Sequence, residues 1–216
     1  MSGHELTATT VSYLFASTWA PPADSGWSLQ VPGGKVNGPD TAANLLNLAV
    51  WSLREQGFVD VEQIRRVEAE RITVMGGKSF VRVTALDRVT ALPGLEGALL
   101  DAIRQRPGKG EVLSRDDPDG LRGCVLALNL SSGSPWATVA GYCRKEALDA
   151  GLVVIEGRLS KKPVIADQAA LDALRSRDGE IAAARAAYRE RENDIDVAVI
   201  SDCRHAVRWA HQTPND

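Results

Sequence analysis

Apolar side chains recur at helical spacing along several stretches of the chain and gather into short runs between them. Ala42, Leu45, Leu46, Ala49, Val50 and Leu53 repeat every three to four positions, which predicts a helix over 41–57. Asp40 or Thr41 is its expected cap and Gly57 its stop. The run VSYLFASTWA at 11–20 suits a first strand or a short helix, halted by Pro21-Pro22. Residues 21–40 are rich in Pro and Gly and read as a long loop carrying Trp27.

After Gly57 the pattern turns extended. Residues 64–86 predict a β-hairpin about Met75-Gly76-Gly77-Lys78, which sets Ile72 opposite Val81 and Arg71 opposite Arg82. Leu95, Leu99, Leu100 and Ile103 mark a helix opened by Pro93-Gly94 and ended before Pro107. A short helix is expected over 120–129. The next has Ser134 as N-cap, Pro135 at its first turn and Gly151 beyond its end. Leu152–Ile155 and Val164-Ile165 then predict a second hairpin turning at Gly157. Two helices follow, a polar Ala-rich one over 167–192 and an amphipathic one over 193–210.

One unit thus occurs twice: helix, Gly, strand, hairpin. REQGFVDV and LDAGLVVI occupy the same place in each. The fold class is mainly α with two small β-hairpins on a helical core; the alternative is a tandem winged-helix protein. The polar stretch 107–119 is the expected divide between an N-terminal half, 1–106, and a C-terminal half, 120–216, unless the two share one compact domain.

Charge changes this picture locally. The chain of 216 residues has a net charge of −3, which gives no global attraction to nucleic acid or anionic membrane. Residues 61–92, however, hold Arg65, Arg66, Arg71, Lys78, Arg82 and Arg88, and the second hairpin holds Arg158, Lys161 and Lys162. Two locally basic hairpins on an acidic protein are candidate contacts for an anionic surface or a protein partner, and a hairpin edge is a route to oligomers. Trp27, alone in a Pro/Gly loop, is the aromatic candidate for the same contact.

Candidate catalytic chemistry is sparse. Cys203 and His205 are two apart and point to different faces of a helix, and His205 and His211 miss the i,i+4 spacing of a helical metal pair. Asp116, Asp117 and Asp119 fail the EF-hand spacing, and Pro118 interrupts them. The Gly-Lys stretches VPGGKVNG and RPGKGE match no phosphate loop. The expectation is therefore a non-enzymatic protein with no metal and no cofactor. Three widely spaced Cys (Cys124, Cys143, Cys203) and no basic, apolar leader predict a cytoplasmic address. An Arg excess and abundant Ala point to a bacterial source.

The segments TAANLLNLAVWSLREQGFVDV, LPGLEGALLDAI, SPWATVAGYCRKEALDAGLVV and DIDVAVISDCRHAVRWA, in this order, resemble the Golgi phosphoprotein 3-like family over most of 11–210. The resemblance implies a mostly helical core with a protruding hairpin, and a non-enzymatic protein that binds phosphoinositide headgroups at a membrane. Where that family carries headgroup-binding arginines this chain has Asn44 and its neighbours, and Ala137–Ala140; no arginine transfers. Trp27 falls in the loop of the family's lipid-contacting Trp. The resulting expectation is a peripheral anionic-lipid or partner-binding module contacting through Trp27, Arg158, Lys161, Lys162, Arg71, Lys78 and Arg82. The rival reading is a tandem winged-helix DNA-binding or assembly protein. It is weakened as a DNA reader because 135–150 offers only Arg144 and Lys145, and 41–57 only Arg54 with Asn44 and Asn47.

Overall fold

The computed structural model describes residues 5–23, 27–65, 79–106, 120–130, 133–158 and 162–212. It begins with two short helices, α1 (Ala8–Leu14) and α2 (Ala16–Trp19). The Thr7 hydroxyl caps α1 by accepting from the Thr10 amide, and Pro21 and Pro22 follow the end of α2. The stretch expected as one long loop instead folds into a hairpin, β1 (Ser28–Val31) with β2 (Gly34–Asn37). Pro32 and Gly33 form its two-residue turn, with Gly33 at φ 88°, a pairing that suits a tight turn. Leu29, Val31 and Val36 are buried beneath it.

Asn37 then caps α3 (Gly38–Glu55), accepting from the Asp40 amide at 3.1 Å, so the cap lies three residues before the expected Asp40. α3 is the central helix: nearly every position on it is buried, from Thr41 and Ala42 to Leu53. Gly57 closes it at φ 69° and Gly151 closes α6 (Pro135–Asp149) at φ 75°, the left-handed geometry that glycine adopts without strain. Strands β3 (Val59–Arg65) and β4 (Ser79–Ala85) follow the first of these stops. Their register pairs Glu62 with Arg82 and Gln63 with Val81. Arg82 and Val81 thus take Glu62 and Gln63 as strand partners, and Arg71 and Ile72, the partners expected for them, lie outside the described residues. Strand β3 runs further toward the helix than expected, and the expected turn at 75–78 lies outside the described residues.

Helices α4 (Gly94–Gln105) and α5 (Leu121–Leu126) lead to α6. Ser134 does occupy the N-cap position of α6, but its side chain makes no capping hydrogen bond. After Gly151, β5 (Val153–Glu156) pairs antiparallel with β6 (Lys162–Ile165). The chain closes with α7 (Gln168–Arg191) and α8 (Asn193–Gln212).

The described fold is thus mainly helical with three small antiparallel hairpins, one more than expected. One apolar cluster draws on α3, α4, α5, α6, α8 and the β1–β2 and β3–β4 hairpins, so it runs across both sequence halves. A second joins α1 to Ala147 of α6, to Leu152 and Val153 at the root of β5, and to Leu171 of α7. Between the clusters, α7 is buried mainly near its ends, at Leu171 and Tyr188. Its C-terminal half is tied down by charge. Asp196 of α8, itself buried, receives Arg185 at 3.0 Å, Arg189 at 2.9 Å and the Asn47 amide of α3 at 3.1 Å. Arg54 of α3 grips both oxygens of Glu192 at 3.2 Å and donates to the Tyr188 hydroxyl at 2.8 Å.

Candidate functional site

The β5–β6 hairpin is packed along β6, which contacts β1, and exposed along much of β5. Leu152 and Val153 are buried at its root, but Val154 and Ile155 are 43% and 37% exposed, and Glu156 through Arg158 are exposed. On the return strand Lys162 is exposed, Pro163 is buried and Val164 is partly covered. The register sets Val154 opposite Val164 and Glu156 opposite Lys162 on one face, and Ile155 opposite Pro163 on the other. Val154 on one face and Ile155 on the other are thus partly exposed apolar residues, and Arg158 and Lys162 are exposed cations of the same hairpin. Lys161 lies outside the described residues.

The other expected contact residues have partners of their own within the fold. Trp27 is 39% exposed but not solitary: it stacks on Trp136 with centroids 6.2 Å apart and meets His211 edge-on at 5.6 Å. Trp136 and His211 are themselves 5.0 Å apart. Loop composition gave no sign of this, because both ring partners are distant in sequence. Arg82 has a side chain only 23% exposed and pairs with Glu62 at 3.5 Å, so its charge is already answered within the first hairpin. Arg71 and Lys78 lie outside the described residues.

Of the helices that precede the hairpins, α3 is mostly buried and α6 is partly or fully exposed at about half of its positions. On α6 the exposed residues are Lys145 and Asp149, which pair with each other at 2.9 Å, and Glu55 is the exposed residue of α3. Cys203 is buried, which pushes its thiol up, away from the thiolate a nucleophile needs. Among the described residues no group of three His, Cys, Asp or Glu side chains is arranged to hold a metal ion, and no helix is long and apolar enough to cross a membrane. Asp116, Asp117 and Asp119 lie outside those residues.

One polar assembly went unread in the sequence. Glu96 of α4 is 1% exposed, and Glu146 of α6 is buried. Both face the start of α1. The Thr7 amide and hydroxyl donate to Glu146 at 2.7 Å each, and the Thr10 hydroxyl does so at 2.7 Å. The Thr9 amide donates to Glu96 at 3.1 Å, and the Thr9 hydroxyl donates to its other oxygen. The Thr7 and Thr9 hydroxyl oxygens are 3.2 Å apart, so the two carboxylate contacts lie side by side at the start of α1. Neither carboxylate forms an ion pair among the described residues. Burial pushes Glu96 above the usual carboxylate range, against the opposing pull of its Thr9 and Thr7 hydrogen bonds. The Cys143 thiol beside the pair is pushed up by burial first and then by the charge of Glu96 and Glu146. A side chain at Gly94, held at φ 64°, would meet a Glu146 oxygen at 2.1 Å, so the approach of α4 to α6 requires glycine there. A sequence signal did exist: Glu96 shares a face with Leu99, Leu100 and Ile103, and Glu146 with Val139 and Cys143.

Compared with protein-family models, with curated proteins and with solved structures, the chain matches none.

Proposed function

We propose that the protein is a non-enzymatic peripheral docking module that sets its β5–β6 hairpin into an anionic membrane surface. The observation that carries this reading is the pairing, on one hairpin, of exposed Val154 and Ile155 with exposed Arg158 and Lys162. Apolar side chains there gain by leaving water, and cations near the same depth gain from anionic headgroups. Each cation contributes ~1 kcal/mol at an anionic surface, with Glu156 opposite Lys162 holding the sum down. Burying what remains exposed of Val154 and Ile155 adds roughly 1 kcal/mol each. Less Glu156's opposition, the total stays below about 4 kcal/mol, the value for a dissociation constant of about 1 mM, which describes weak and reversible attachment. The surface differs from the one the sequence suggested: Trp27 and Arg82, each engaged within the fold, are left out of it.

Co-sedimentation tests this directly. At low salt the protein should pellet with phosphatidylserine-rich vesicles and stay in solution with phosphatidylcholine vesicles. Ile155→Asp and Lys162→Glu should each release it, and Trp27→Ala should not. Failure of wild type to pellet with anionic vesicles at low salt would sink the membrane reading and leave the hairpin to a protein partner. Duplex DNA of random sequence should not be retained in a gel shift at about 150 mM salt, since few phosphates can be neutralised.

A further inference from the structure

We draw no further inference here: the strongest candidate, the surface patch at the C-terminal end of α8 where exposed Arg208 and Trp209 lie beside Arg122 of α5, whose guanidinium sits 5.5 Å over the Trp209 ring, carries no proposal because nothing in the structure shows what covers it.

Discussion

The two helix–Gly–hairpin units share a plan and differ in how they are held. In the first, β3 and β4 lie against the body: Val59, Val61, Val81 and Val83 are buried, and the Val81 amide donates to Asp202 of α8. Its helix, α3, is tied to α7 and α8 through guanidinium–carboxylate and amide–carboxylate bonds at Arg54 and Asn47. In the second, β6 contacts β1 and Pro163 is buried, but Val154 and Ile155 are left partly exposed. Its helix, α6, is tied to α1 through a carboxylate that meets hydroxyls and an amide. Repetition of a supersecondary unit therefore does not repeat its role. The unit whose polar contacts are balanced by cations serves as a foundation, and the other keeps a surface open.

The largest effect should come from the foundation. Asp196→Ala strands Arg185, Arg189 and Asn47 at once and should cost about 3 kcal/mol, toward the low end for a broken buried pair because Arg189 can turn to water. Urea denaturation measures it, and a loss below 1 kcal/mol would mean that α7 is held by packing instead. Val83→Ala, in the covered hairpin, should cost ~2 kcal/mol, whereas Ile155→Ala in the more exposed one should stay within about 0.5 kcal/mol. Equal costs would erase the contrast between the hairpins.

The next test is the sign of a pH dependence. Glu96 is raised in the folded state, so its contribution to stability is fully present below the ordinary carboxylate pKa and is lost as pH rises through the folded value. Glu96→Gln should accordingly melt near wild type at about pH 4 and above it at about pH 8; the reverse order would contradict the burial of an uncompensated acid. The smallest effect belongs to Ser134→Ala. With no hydrogen bond from the serine hydroxyl to α6, the change should fall within about 0.5 kcal/mol rather than the ~1 kcal/mol a working cap is worth.

What the sequence disclosed follows from what is local. The helical stops at Gly57 and Gly151 and the strand after each were legible, because positive-φ glycines and apolar periodicity act over a few residues. The β1–β2 hairpin was not, since Pro and Gly are common to loops and turns. Its signal was weak: Leu29 and Val31 two apart, then Val36 after a Pro-Gly pair. The β3–β4 register was misplaced because the turn was assigned from the nearest Gly pair, while the strand begins straight after the helix stop. Of the candidate residues, Arg158 and Lys162 are where a solvated hairpin would put them. The neighbours of Trp27, by contrast, are supplied by Trp136 and His211 from far along the chain, as the threonines of α1 are to Glu146.

The three cysteines, Cys124, Cys143 and Cys203, are fully enclosed, and burial holds Cys143 and Cys203 in the unreactive thiol form. They sit in three different helices, α5, α6 and α8, so an alkylating reagent in solution becomes a clock for each. The order in which they acquire label under native conditions would rank these parts of the interior by how often each meets solvent, with no probe introduced and no residue replaced.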